Sequence, residues 1–242
     1  MICQYGTMCI MTLFQRTQLD LMRQMELTLA SDSNTSTIVP FQADYATDNQ
    51  MCLSVNAFLS RAIGLSIQTK LIDPLRQIDP TQYYYSNGSL HITFHSVRII
   101  HNPPSYTDLD IKNSKQLLAK FVPPERPFPF VLQGVLSMPT SVSLIALVTP
   151  EYDQFIRRLR HEFISSGIPD DKKYFTDKMV FANTTICRYT HKPSQEFLEK
   201  VAELKNLFIG EYTAEKVCLV ETNAGAYPSK TTVLAEYRFS QI

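Results

Sequence analysis

Only seven glycines occur in the 242-residue chain, and none of them falls into a G-x-G-x-x-G fingerprint or a phosphate-cradling P-loop. Dinucleotide-binding and P-loop ATP enzymes are therefore unsupported. A G-x-S-x-G elbow is missing as well, and with it the usual sequence mark of an α/β-hydrolase nucleophile. No H-E-x-x-H and no clustered Cys/His set is present, so no metal is expected. The cysteines are five, an odd number, at positions 3, 9, 52, 187 and 218, without a C-x-x-C pair. That usage fits a reduced, intracellular protein better than a disulfide framework. Net charge is absent too, with 23 Lys plus Arg against 23 Asp plus Glu. No global field then steers the molecule to nucleic acid or anionic lipid, and any phosphate binding must be local. No apolar run approaches the ~20 residues that span a bilayer. The short apolar patch from Met8 to Phe14 lacks a preceding basic flank and is not read as a signal peptide. The expectation is a cytoplasmic protein with no membrane partner, no cofactor, and a monomeric state.

What the chain does have is an unusual strand. Ser89-Leu90-His91-Ile92-Thr93-Phe94-His95-Ser96 reads as extended, and side chains in a strand alternate faces. His91, Thr93 and His95 then share one side, while Ile92 and Phe94 share the other. An imidazole and a hydroxyl thus face whatever lies opposite the core. In the second half, Ala182-Asn183-Thr184-Thr185-Ile186-Cys187-Arg188-Tyr189 repeats the spacing with Asn183 and Thr185. In a regular strand Arg188 points away from Thr185.

Around these stretches the periodicity predicts a helix from residue 13 to 30, closed by a Ser/Asn/Thr-rich linker at 31–37. A strand follows at 52–58, then a helix near 66–75. Beyond the first motif, Lys112 to Phe121 reads as a helix, and 128–136 with 143–148 as a hairpin. Thr149-Pro150-Glu151 supplies a helix start, with a hydroxyl for the N-cap and proline in the first turn. Tyr152, Phe155, Ile156, Leu159, Phe163 and Ile164 form that helix's apolar face, and Gly167 with Pro169 closes it. A helix built on Phe197 to Leu207 and strands near 215–222 and 231–239 complete an α+β chain rich in antiparallel strands.

The paired motifs resemble the two H-x-T motifs of the 2H phosphoesterase superfamily, which contains the 2'-5' RNA ligase-like proteins and the 2',3'-cyclic phosphodiesterases. The first matches as His91-Ile92-Thr93 and the second as Asn183-Thr184-Thr185, with its histidine replaced. Asp79-Pro80-Thr81-Gln82-Tyr83-Tyr84-Tyr85 leading into Ser89-Leu90-His91 is similar to the bacterial branch, as is Asp48-Asn49-Gln50 before the preceding strand. The resemblance implies a two-lobed fold with a central groove over residues 46–242, preceded by an N-terminal helical extension and linker at 1–45. It also implies a phosphodiester in that groove, contacted by His91, Thr93, Thr185 and the residue at 183.

Two facing histidines suit phosphodiester chemistry, because one imidazole takes a proton from the attacking oxygen while the other protonates the leaving one. A carboxamide at 183 cannot exchange a proton in this pH range. Losing one such group typically costs ~10²–10⁴ in rate. His95 shares the face but lies roughly 13 Å along the strand from His91, which suits lining the groove rather than replacing the second histidine. Tyr85 and its neighbours Tyr83 and Tyr84 are candidates for stacking on a base, against the plainer reading of a half-buried turn. For His91 the plainer reading is a buried imidazole satisfied by a carbonyl. Arg157, Arg158, Arg160 and His161 form either a basic patch for RNA or the solvated face of a helix. Three functions follow: a binder of a nucleotide, RNA end or other phosphodiester with weak or absent hydrolysis; a cyclic phosphodiesterase using His91 alone; or a protein interaction module.

Overall fold

A computed structural model describes residues 11–29 and 36–240. Most of the linker, residues 31–35, lies outside the described residues. The chain forms two antiparallel sheets. The first runs β3-β1-β8-β9, with β1 at Met51–Phe58, β3 at His91–His101, β8 at Lys216–Thr222 and β9 at Thr232–Arg238. The second runs β2-β6-β5-β4-β7, with β2 at Tyr83–Tyr84, β4 at Phe128–Met138, β5 at Ser141–Leu147, β6 at Ala182–Arg188 and β7 at Phe208–Ala214. The two motif strands, β3 and β6, therefore belong to different sheets, and they approach one another where the sheets meet. This is the α+β, antiparallel architecture that the sequence predicts.

One continuous core joins the two sheets. Leu53, Val55, Ile92 and Phe94 from the first meet Phe130, Leu132, Leu144 and Ile186 from the second, with helix α5 (Pro150–Ser165) contributing Tyr152, Phe155, Leu159 and Phe163. Helix α5 begins at the predicted proline, but the Thr149 side chain makes no capping hydrogen bond to the helix; the residue only adopts the extended N-cap backbone. Its other end follows the sequence. Gly167 takes φ +81°, and the Ile168 N–H returns to the Phe163 carbonyl at 3.1 Å, the closing bond of a Schellman turn. Helix α4 (Asp108–Phe121) starts earlier than its apolar periodicity indicates, because Thr107 and Asp110 form a capping box.

The region read as one helix near 66–75 is longer. Helix α2 (Arg61–Ile67) runs through a π-helical turn at Gln68–Ile72 into α3 (Asp73–Ile78). Conversely, α6 (Gln195–Glu203) is shorter than read, since β7 starts at Phe208. That strand has no clean alternation in its sequence. It pairs with β4, and after Glu215 the chain crosses into the first sheet as β8.

Helix α1 (Leu13–Leu29) lies against β4 and β5. Met22, Met25 and Leu29 cover Val131, Leu136, Ile145 and Leu147, a second and smaller core on the face of the sheet that also carries Asn183, the register partner of Ile145. Gln18 is 1% exposed and ties the helix down: its carboxamide oxygen accepts from the Val148 N–H at 2.9 Å and its amide donates to the Val180 carbonyl at 3.4 Å.

Candidate functional site

His91, Thr93, Asn183 and Thr185 all line one cavity of about 280 Å³ between the sheets. The alternation of two strands accounts for this directly, since each polar pair sits two residues apart on its strand.

What happens next along each strand departs from regular alternation. In β3, Asn56 of the neighbouring strand pairs with Thr93 and Val55 with His95, so Phe94 is an unpaired extra residue. In β6, Ser143 pairs with Thr185 and Val142 with Cys187, so Ile186 is the extra one. Both motifs therefore carry a β-bulge immediately after their threonine, and a bulge reverses the facing of the residues that follow it up to the next irregularity, which in β3 comes after Ser96. Two expectations are corrected by it. His95 leaves the face of His91 and Thr93: it is 3% exposed, with its ring 4.5 Å from that of Phe163 on α5. Ser96 takes the groove position instead. Arg188, expected on the far face from Thr185, is turned into the cavity beside it.

The imidazole of His91 is fixed by the backbone before it. Nδ1 donates to the Ser89 carbonyl at 2.7 Å, which leaves the lone pair on Nε2. Burial lowers the His91 pKa, the Ser89 carbonyl opposes that shift, and the Arg188 charge adds to it. A neutral ring with a fixed tautomer results: the plainer reading holds in that a carbonyl satisfies one nitrogen, and the residue also lines the groove. Across the cavity the Asn183 amide donates to the Ser143 hydroxyl at 3.1 Å. Among the described residues, no protein group satisfies the Thr93 or Thr185 hydroxyl.

Arg188 supplies the charge. Its Nε–H is shared between the Ala224 carbonyl at 2.6 Å and the Tyr85 hydroxyl at 3.0 Å, and among the described residues no carboxylate pairs with it. Tyr85 is 1% exposed and donates to the same Ala224 carbonyl at 2.5 Å. It is therefore no open platform for a base; it holds Arg188. Tyr83 and Tyr84 are likewise tethered, to the Gly225 and Asp79 carbonyls. Arg98 also reaches the cavity but is compensated by Asp110 at 3.8 Å and Asp171 at 3.7 Å. The thiol of Cys52 donates to the Thr222 carbonyl, and burial pushes its pKa up to about 11, so it is no thiolate nucleophile.

The helix α5 cations divide. Arg157 pairs with Asp153, Arg158 with Glu125, and His161 is exposed, as a solvated face requires. Arg160 instead turns toward a second cavity. His191, which has no motif around it, holds Asp79 at 3.0 Å, and Gln82 accepts from the Thr190 N–H at 2.8 Å. The Asp79-to-Tyr85 segment is thereby clamped to the loop after β6. Among the described residues no group of three or more His, Cys, Asp or Glu is placed to hold a metal. No helix among them is long and apolar enough to cross a membrane.

No protein-family model and no curated protein matches the chain. Solved structures do. TT0787 of Thermus thermophilus superposes with a TM-score of 0.57 at 17% identity, over 77% of this chain and 97% of that one. E. coli LigT complexed with 3'-AMP gives 0.55 at 14% identity, over 79% and 99%. The ATP complex of LigT gives 0.52 at 15% identity, over 80% of this chain and all of LigT, 100%. At such identities the likeness is one of fold, and the fold is that of LigT.

Proposed function

We propose that this protein binds a nucleotide, RNA end or related phosphodiester in the groove between the two sheets, with weak or absent hydrolysis. One observation carries the reading: Arg188, half-buried and with no carboxylate partner among the described residues, shares its cavity with two unsatisfied threonine hydroxyls and the free Nε2 of His91. A half-buried cation is stabilised by an anion beside it, and a phosphate oxygen is the partner that also uses the hydroxyls. The LigT structures with ATP, 3'-AMP and phosphate bound support a ligand of this class on this fold. Three unpaired thiols, Cys52, Cys187 and Cys218, support a reducing location such as the cytoplasm.

Asn183 sets the limit on chemistry. Its amide donates to Ser143, and a carboxamide does not ionise near neutral pH, so Asn183 is no second acid for the groove. The alternative of a slow cyclic phosphodiesterase draws on the fixed His91 tautomer, since a neutral Nε2 is a competent general base for an attacking water, the leaving oxygen then taking its proton from solvent. Titration with adenosine 2',3'-cyclic phosphate, followed by a turnover assay, separates the readings. Binding without turnover is expected. Turnover at ordinary enzymatic rates favours the alternative, and failure to bind removes both.

A further inference from the structure

Beside the groove lies a second cavity of about 190 Å³, and Thr93, Ser96, Ser143, Lys172 and Asn183 line both. Its other walls include Arg160, His95 and Tyr174. The guanidinium of Arg160 sits 3.7 Å above the Tyr174 ring, and the Lys172 ammonium lies 5.6 Å from the same ring. Two cations thus converge on one aromatic side chain. Among the described residues neither is paired with a carboxylate. The nearby Asp170 makes no ion pair with either; its Oδ1 accepts from the Lys172 backbone N–H at 3.2 Å and from the Tyr174 hydroxyl at 3.3 Å. The Lys172 ammonium has only a long contact to the Ser96 hydroxyl, 3.5 Å. His95, 3% exposed, has a buried Nδ1 with no partner, and the buried Nε of Arg160 has none either.

Like charges gathered in a partly buried cavity repel, and unpaired buried donors are costly. Burial first, and then the Arg160 charge, lowers the Lys172 pKa, while the Asp170 carboxylate opposes the shift. An anion relieves both. Resting on the proposed phosphodiester groove, we infer that Lys172, Arg160 and His95 form a second anion site continuous with it, and that the ligand class is a nucleotide or oligonucleotide bearing a second phosphate.

The test compares adenosine 2',3'-cyclic phosphate with its 5'-phosphorylated form by calorimetry on the whole chain. The doubly phosphorylated ligand should bind at least about tenfold tighter, the contribution of one charge-assisted hydrogen bond. In the Arg160→Met, Lys172→Met protein that ratio should fall to near one. Lys172→Gln, which keeps a polar side chain and removes the charge, serves if the double variant loses its thermal transition. Equal affinities in the unmodified protein overturn the inference while leaving the groove reading intact. A ratio that survives in the variants places the second phosphate elsewhere and overturns it as well. If neither nucleotide binds, the groove reading fails and this one fails with it.

Discussion

The Nε–H of Arg188 and the hydroxyl of Tyr85 both donate to the Ala224 carbonyl, at 2.6 and 2.5 Å, and the Tyr85 oxygen in turn accepts from Arg188 at 3.0 Å. A tyrosine from the segment before the first motif therefore positions the cation that ends the second motif strand. Nε is the anchor, and among the described residues the outer guanidinium nitrogens make no hydrogen bond.

Tyr85→Phe removes that acceptor while keeping the ring. Affinity for a cyclic nucleotide should fall a few-fold, and stability by about 1 kcal/mol, the net value of one hydrogen bond. Calorimetry with parallel urea unfolding measures both. Unchanged affinity would mean that the Ala224 carbonyl alone holds Arg188.

Thr93→Val with Thr185→Val keeps shape and removes both hydroxyls. Affinity for inorganic phosphate should drop by about tenfold or more, since hydrogen bonds to a charged group contribute ~1.5–3 kcal/mol each. Retained affinity would place the anion outside the groove.

Asn183→His restores a titratable group where the chain has a carboxamide. Hydrolysis of a 2',3'-cyclic nucleotide should rise by at least ~10²-fold, the low end of what one acid–base group contributes, and should vanish on adding His91→Ala. A folded variant that binds the nucleotide but does not turn it over would show that the groove has lost more than this one group.

His95 gives the protein an acid-labile element. Burial first, then the charges of Arg160 and Lys172, push its pKa down to about 3 from 6.5. Below pH 6.5 the unfolded chain takes up a proton that the folded chain refuses. Stability from this group is complete above pH 6.5 and is lost progressively as pH falls toward 3. His95→Phe keeps a ring against Phe163 and removes the proton. Relative to that variant, the unmodified protein should lose up to about 1.4 kcal/mol per pH unit between about pH 6 and 5. Parallel acid limbs in urea titrations of the two proteins would contradict a buried neutral imidazole.

Gln18→Leu leaves the Val148 N–H and the Val180 carbonyl without their α1 partner. Destabilisation of about 1–3 kcal/mol is expected from the stranded groups. A change near zero in urea unfolding would mean that α1 contributes only through Met22, Met25 and Leu29.

Strand alternation was enough to bring four groove residues to one cavity. His91 with Thr93, and Asn183 with Thr185, each sit two residues apart, and no bulge intervenes within either pair. Helix boundaries were legible where a local device sets them, as at Pro150 and Gly167, since those act within a turn of their own position. Everything beyond the bulges was not. Phe94 and Ile186 carry no local mark of being the extra residue, because a bulge is a property of the pairing with β1 and β5 and not of the bulged strand alone. That pairing turns His95 toward α5 while Ser96 and Arg188 turn to the groove. Arg160 and Lys172 meet over Tyr174 from a helix and a loop with no shared pattern. Residue identities and their spacing were enough to name the four polar side chains that share the groove, with a carboxamide at 183 where the resemblance implies a histidine. Where the cations stand could be read only from the folded chain, because charge placement in a groove is set by long-range packing between two sheets rather than by any period within one strand.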